Sequence, residues 1–378
     1  MSEEPAAGAG QGAPPPFGGY AGRQVLVTGG TGFIGSRLAE RLALEEQARV
    51  RVLVRSWNKA TWVSRAAVEL VPGDVGDADS VARAMAGCAV VFHCAAAGGA
   101  RHVCQAANVE GTRTVMQAAL AAGVERVVHL SSIAVHGPNP AENADESDAF
   151  RCTRAPYGDS KIAAEEVAWQ FYHERDLPLA VVRPTFVWGP GSPFFTVLPV
   201  QQMKAGRWFL VDGGQGTCHA VYIDNLVDGI LLAGTRPEAV GQAFFLTDGG
   251  GGTWGEFFGH FARMVGCESL PSVSSSAVST RVMLVPLRAV DWLLGPVSRT
   301  PEREPLRFLV RGTRFALMTA RRSLARYAPF SAWDLAKYAR VGRLNTRRAH
   351  DLLGYRPRFS VAEGMRHTEA WLRDQRWL

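Results

Sequence analysis

Gln24-Val25-Leu26-Val27-Thr28-Gly29-Gly30-Thr31-Gly32-Phe33-Ile34-Gly35 is the stretch on which the reading of this chain turns. Its first five residues form a short apolar run that stops at glycines, the pattern of a buried strand. From Phe33 to about Leu44 the apolar residues recur at helical spacing. Between the two lies Gly29-x-x-Gly32-x-x-Gly35. A pyrophosphate needs close approach to the backbone, which a Cβ would block, and gains from free N–H groups at a helix N-terminus. The chain holds 40 glycines, so a glycine cluster alone says little. Strand, turn and helix in this order say much more. Gly29, Gly32, Phe33, Ile34 and Gly35 are therefore the expected diphosphate-binding residues.

Outward from the turn, the same rhythm repeats. Val50–Val54, Val68–Val71, Ala89–His93, Arg126–Leu130 and Leu179–Arg183 read as further strands. Helical stretches fall near 79–86, 103–122 and 155–175. Strands alternating with helices imply a parallel sheet covered on both faces. The fold class is α/β, a Rossmann-type doubly wound sheet over residues 23–184. Residues 185–378, with helical stretches near 224–235 and 253–265, are expected to form a smaller C-terminal lobe that carries the substrate side.

The second strand ends Leu53-Val54-Arg55-Ser56. An NAD enzyme of this kind places a carboxylate near here to hold the ribose hydroxyls. Arg55 instead suits a 2′-phosphate, and Lys59 can assist. The expected cofactor is NADP, with NAD as the alternative.

Tyr157-Gly158-Asp159-Ser160-Lys161 is a Y-x-x-x-K pair. On a helix, i and i+4 share a face, so phenol and ammonium point the same way. A free phenol is a poor acid–base group at neutral pH, and a nearby cation stabilises phenolate. With seven Tyr and four Lys in the chain, random placement gives only about 0.07 such pairs. Ser132 follows the fifth strand, where ligands bind in open α/β sheets. Its hydroxyl is placed to hold a substrate carbonyl, although a serine after a strand is by itself more often a turn residue.

Glycine turn, Ser132 and Tyr157/Lys161, in that order, resemble the extended short-chain dehydrogenase/reductases, the NAD-dependent epimerase/dehydratase superfamily. The resemblance runs from about Gln24 to near Trp371 and implies further site residues. Gly73-Asp74-Val75 resembles the adenine-side segment, and His93-Cys94-Ala95-Ala96 the segment beside the adenosine ribose. Asn108-Val109-Glu110-Gly111-Thr112 resembles the family's N-V-x-G-T helix. Arg183-Pro184-Thr185-Phe186-Val187 resembles the segment beside the nicotinamide, and Leu353-Gly354-Tyr355-Arg356-Pro357 the C-terminal signature. Asp74, Val75, Ala95, Ala96, Asn108, Pro184 and Val187 thereby join the expected cofactor set, with Tyr157 and Lys161. The implied mechanism is hydride transfer between a secondary alcohol and a ketone. Tyr157 moves the proton, Lys161 lowers the phenol pKa and binds the nicotinamide ribose, and Ser132 orients the carbonyl.

Departures narrow the choice within the family. Ile133-Ala134 stand where sugar 4,6-dehydratases carry an Asp-Glu pair. Phe186 and Cys218-His219 stand where nucleotide-sugar epimerases tend to hold a diphosphate. With Tyr222-Ile223-Asp224-Asn225 downstream, the chain looks nearest the 3β-hydroxysteroid dehydrogenase and dihydroflavonol reductase branch, which handles apolar or polycyclic substrates. The alternatives are a nucleotide-sugar epimerase or dehydratase, disfavoured by those departures, and a non-catalytic cofactor-binding scaffold, which gains nothing from an activated phenol. The family analogy also implies a homodimer through helices that include the Tyr157 helix.

Composition sets the remaining limits. Six cysteines form no C-x-x-C pair and no metal-ligand grouping with histidines, so no metal is expected and the thiols suit a reducing cytoplasm. Residues 1–22, rich in Gly, Ala and Pro, lack the features of a signal peptide and read as a disordered leader. The net charge of +6 is uneven: residues 281–348 hold 14 Arg and one Lys against four carboxylates, a local +11 that leaves −5 for the rest. Within that segment, 281–326 mixes apolar and basic residues. It can be a helical face on the core, a lid over a greasy pocket, or a peripheral contact with an anionic membrane. No nucleic-acid reading motif accompanies the charge.

Overall fold

The computed structural model describes residues 17–276 apart from Asn139, Ala141, Gly250 and Gly251, then five residues between 312 and 317, and residues 332–378. Most of the expected leader and most of the basic apolar segment, including its membrane or lid role, lie outside the described residues.

The strands are β1 (Gln24–Thr28), β2 (Arg49–Val54), β3 (Val68–Pro72), β4 (Val90–His93), β5 (Arg126–Leu130), β6 (Leu179–Pro184), β7 (Phe186–Trp188), β8 (Leu210–Val211), β9 (Ala220–Tyr222), β10 (Gln242–Leu246) and β11 (Ser272–Val273). Seven of them form a parallel, Rossmann-like sheet in the order β10-β6-β5-β4-β1-β2-β3. The six strands read from sequence are all present. β10 is the addition, and its Phe244 and Phe245 are fully buried. In β1, Val25, Leu26 and Val27 are also fully buried. Val25 lies between Val50 and Val90, and Val27 between Val52 and Phe92. Side chains on both faces of this central strand are apolar because both faces are covered.

By compactness the chain divides into two units that interleave along the sequence: Met1–Leu130, Ala163–Val181 and Val227–Gln242, against Ser131–Ile162, Val182–Leu226 and Ala243–Leu378. The expected single boundary at 184 does not describe them. Ser131–Ile162 groups with C-terminal residues because its contacts are made there.

In the first unit, helices α1 (Phe33–Leu44), α2 (Ala78–Met85), α3 (Arg101–Cys104) and α4 (Gly111–Ala122) connect the strands. Two buried arginines tie in the returning chain. Arg41 pairs with Asp228 at 2.9 Å. The Arg126 guanidinium donates to the Ala233 and Arg236 carbonyls at 2.9 and 3.0 Å, satisfying acceptors that a helix end leaves open.

In the second unit, helix α5 (Pro156–Arg175) begins, β7 pairs with β9 in parallel, and β8 pairs with β11. Helix α6 (Leu198–Lys204) precedes β8, α7 (Ile223–Thr235) begins here, and α8 (Trp254–Met264) opens on a Thr253/Glu256 capping box. The helix over Val361–Asp374 opens on a second such box, Ser360/Glu363. Asp248 is the polar hub. Its carboxylate accepts from Asn225 Nδ2 (2.7 Å), Tyr222 N (2.9 Å) and Trp188 Nε1 (3.3 Å). Burial outweighs these bonds and raises its pKa to about 6.

Candidate active site and cofactor cradle

In the first unit the glycine turn is built by close approach. Gly29 has φ +68°, and a Cβ there would lie 2.6 Å from the Ala95 nitrogen. At Gly35 a Cβ would lie 2.4 Å from the Gly29 carbonyl oxygen. These two glycines let the turn press against the end of β4 and against the first turn of α1. Gly32 N donates to Gly29 O at 2.9 Å, closing the turn. Gly32 is the N-cap of α1, with no capping side chain and no acidic residue in the first turn. No side chain caps the first N–H groups of α1, from Phe33, Ile34 and Gly35, and such groups suit an anion.

A cavity of about 290 Å³ opens beside this turn. Gly29, Thr31 and Gly32 form one wall; Arg55, Ser56 and Lys59 stand at the end of β2; Asp74 and Val75 follow β3; and Cys94 to Ala97 follow β4. Arg55 and Asp74, both solvent-facing, form a loose ion pair at 3.6 Å. Asp74 also accepts from Gly76 N at 2.9 Å. The residues present fit a dinucleotide: uncapped amides at a helix N-terminus that suit a diphosphate, the Asp74 carboxylate after β3 and two cations at the end of β2.

Asn108, one of the expected cofactor residues, is tied to the loop that lines the cavity. It is 1% exposed, and its amide is spent on Ala97, with Oδ1 accepting from Ala97 N at 2.7 Å and Nδ2 donating to Ala97 O at 2.9 Å. It clamps the loop that lines the cavity. It sits in a π-helical stretch, Gln105–Glu110, a distortion frequent at functional sites. Sequence reading missed the polar chain beneath the turn. Thr28 Oγ1 bonds with His93 Nδ1 (2.7 Å), His93 Nε2 with Thr112 Oγ1 (3.0 Å), and Thr112 Oγ1 donates to Asn108 O (2.5 Å). A His93 that donates from Nε2 to Thr112 and accepts from Thr28 at Nδ1 satisfies the chain. Its signal in the sequence was a histidine ending an apolar run that is buried throughout, β4.

Ser132, Tyr157 and Lys161 all belong to the second unit, as do Pro184 and Val187. Ser132 caps the short helix Ile133–His136, its Oγ accepting from Ala134 N at 3.2 Å. Tyr157 and Lys161 lie one turn apart in α5. Tyr157 is 38% exposed and Lys161 only 2%, so the phenol reaches outward while the ammonium is held inside. Gly158 brings the two segments together: a Cβ there would lie 3.4 Å from the Ala134 carbonyl oxygen. The first turn of α5 thus packs directly on the residues after Ser132.

The loop joining these segments is held by a buried polar knot. Arg183 Nη1 donates to His136 Nε2 (3.1 Å) and to Glu146 O (2.8 Å). Glu146 Oε1 accepts from Phe245 N at 2.7 Å, and its Oε2 faces Arg348 at 3.6 Å. Burial is the main influence on Glu146 and raises its pKa. Ile133, Ala144, Phe245 and Leu344 form an apolar cluster beside it, with Phe186 packed on top.

A family model for the NAD dependent epimerase/dehydratase family matches residues 25–245. The chain belongs to that family. The expectation of an extended short-chain dehydrogenase/reductase is borne out. Over 360 residues this family member is 30% identical to a 2-alkyl-3-oxoalkanoate reductase of Stenotrophomonas maltophilia, covering 92% of this chain and 98% of the relative. Over 340 residues it is 32% identical to a 3-beta-hydroxysteroid dehydrogenase of Mycolicibacterium neoaurum, covering 83% and 89%. Among solved structures it superposes on the dTDP-glucose 4,6-dehydratase DesIV of Streptomyces venezuelae with a TM-score of 0.69 at 24% identity, over 93% of this chain and 98% of that one. The last likeness concerns the fold. The named dehydrogenases and reductases support an oxidoreductase, and the family is NAD(P)-dependent. Among the described residues no group of His, Cys, Asp and Glu could hold a metal, and no helix is long and apolar enough to cross a membrane.

Proposed function

We propose that the protein is an NADP-dependent ketoreductase or alcohol dehydrogenase for apolar carbonyl compounds, with Tyr157 as its acid–base group. The observation that carries this is the packing of the Tyr157 turn on the residues after Ser132, with Lys161 buried one helical turn behind an exposed phenol. In the reducing direction Tyr157 Oη gives its proton to the substrate oxygen, and Ser132 Oγ donates to the same oxygen and orients it. The Lys161 ammonium stabilises the phenolate left behind. Gly29, Gly32 and the first amides of α1 would hold the cofactor's diphosphate, and Arg55 with Lys59 a 2′-phosphate. The cofactor, when bound, supplies the hydride. Support for the substrate class comes from Phe186, an apolar residue where nucleotide-sugar enzymes tend to be polar, and from the two relatives, a 3-oxoalkanoate reductase and a steroid dehydrogenase by name.

A homodimer through helices that include α5, and a cytoplasmic or membrane-peripheral place through 281–326, complete the proposal. A monomeric mass in light scattering removes the dimer, and failure of the chain to sediment with anionic vesicles removes the membrane contact. The central test is a fluorescence titration with NADPH and NADH followed by a ketone screen. Tighter NADPH binding and ketone-dependent NADPH oxidation are expected. Cofactor that co-purifies and never exchanges would overturn the reading in favour of an epimerase, and binding without any turnover would favour a scaffold.

A further inference from the structure

Arg340 directly follows the helix Ala332–Ala339 in the second unit. It is 5% exposed, and among the described residues its Nε and Nη2 have no hydrogen-bond partner. A guanidinium carries five donors and keeps its charge, so burying it without an acceptor is costly. Burial lowers its pKa to about 10, with no compensating carboxylate among the described residues. Two other buried cations of this unit have partners: Arg183 bonds to Glu146 O and His136, and Lys337 pairs with Asp334 at 2.9 Å. The neighbourhood adds positive charge. His219, whose Nε2 donates to Gly342 O at 2.8 Å, is held below its ordinary pKa by burial and then by the Arg340 and Arg343 cations.

The backbone after Arg340 leads to Leu344, which packs with Ile133. Thr217 N donates to Arg340 O at 2.6 Å, and Phe186 N donates to His219 O at 3.3 Å. Phe186 packs on the cluster that contains Leu344 and Ile133, and Ile133 directly follows Ser132. The strip Arg340–Leu344 therefore passes along the start of β9 and ends beside the Ser132 segment.

We infer that Arg340 is a specificity-determining residue that pairs with a carboxylate on the carbonyl substrate, which makes the substrate class an apolar oxo acid rather than a neutral ketone. This rests on the ketoreductase reading above. The carboxylate offers the planar acceptor pair that a guanidinium fork matches. A neutral polycyclic ketone would leave the buried charge as it stands.

The test uses the full-length protein, Arg340→Met and Arg340→Lys, with 3-oxodecanoate and its methyl ester as substrates and decanoate as a non-reacting probe. For the wild type, KM for the acid should lie well below that for the ester. Arg340→Met should raise KM for the acid by about tenfold or more with little change in kcat. Arg340→Lys should recover part of that loss. Decanoate should raise the wild-type Tm and leave that of Arg340→Met unchanged. Without ligand, Arg340→Met should melt no lower than wild type, because it removes an uncompensated buried charge. Equal KM for acid and ester, in wild type and variant alike, overturns the inference while the ketoreductase reading stands. Decanoate stabilisation that depends on Arg340, without turnover of either ketone, keeps the carboxylate site and removes the ketoreductase reading. Stabilisation by inorganic phosphate but not by decanoate overturns the carboxylate assignment. So does an Arg340→Met variant that melts well below wild type with unchanged kinetics, since Arg340 would then be structural.

Discussion

The glycine turn and the Ser132–Tyr157–Lys161 group are given parts in one proposed reaction, yet they are made in different ways. The turn is local. Gly29 and Gly35, six positions apart, approach within the distance that only a missing Cβ permits, and one helix N-terminus supplies the donors. The Tyr157 site is assembled from afar. Ser132 and Tyr157 are separated by a loop whose shape depends on Arg183, Phe245, Leu344 and Arg348, drawn from three later parts of the chain. The first region depends on close backbone approach within the turn and on the end of β4. The second can be damaged by residues far from it in sequence, and four substitutions separate the two cases.

The largest effect is expected from Tyr157→Phe. Loss of the proton donor should lower kcat by about a thousandfold, with NADPH affinity and Tm close to wild type because the phenol is partly exposed. Stopped-flow and melting measurements check it, and a variant with near-wild-type kcat removes Tyr157 from the chemistry. Gly35→Ala should weaken NADPH binding by about a hundredfold, or about 3 kcal/mol, since its Cβ would meet backbone oxygen rather than a movable side chain. Unchanged fluorescence titration in that variant would show that the turn is not the cradle. Next, Arg183→Met should cost about 3 kcal/mol of stability by leaving the Glu146 carbonyl and its neighbours without their cation, and should lower kcat while leaving NADPH affinity intact. If NADPH affinity falls with it, the two regions are not independently built. Arg55→Asp should remove a preference for NADPH over NADH of about tenfold, measured as a ratio of dissociation constants. A wild-type ratio near one would return Arg55 to the role of a surface residue.

The smallest effect concerns pH. Asp248 has a folded-state pKa raised to about 6 by burial, so the folded protein holds that proton more tightly than the unfolded chain. Its contribution to stability is fully present below the ordinary carboxylate pKa and is lost as pH rises through about 6. Asp248→Asn keeps an acceptor and removes the charge, so its Tm relative to wild type should grow between pH 4.5 and pH 7. A constant difference across that range would show that Asp248 does not titrate there.

Legibility followed the same division. All six strands read from apolar runs are present, and Gly29, Gly32 and Gly35 lie where their spacing put them, because each reading concerned neighbours along the chain. β10 escaped because it joins the sheet beside β6 only after a long excursion of the chain. The bonds of the Asn108 amide to Ala97 were not read from the sequence. A residue type and a motif do not reveal which way an amide is spent. Arg340 lay inside a run read only as a basic segment, and its burial could not be seen from charge counting.

By itself the sequence determined the alternation of buried strands and helices, the glycine turn, and the one-turn spacing of Tyr157 and Lys161, since these depend on the periods of helix and strand and on the absence of a Cβ. Only the tertiary structure decided that Ser132 stands beside the Tyr157 turn, that Asp248 keeps a raised pKa, and that Arg340 is buried without a matching carboxylate among the described residues. Each of those is set by which distant groups exclude water from a given atom, and desolvation is a property of packing that no stretch of sequence carries alone.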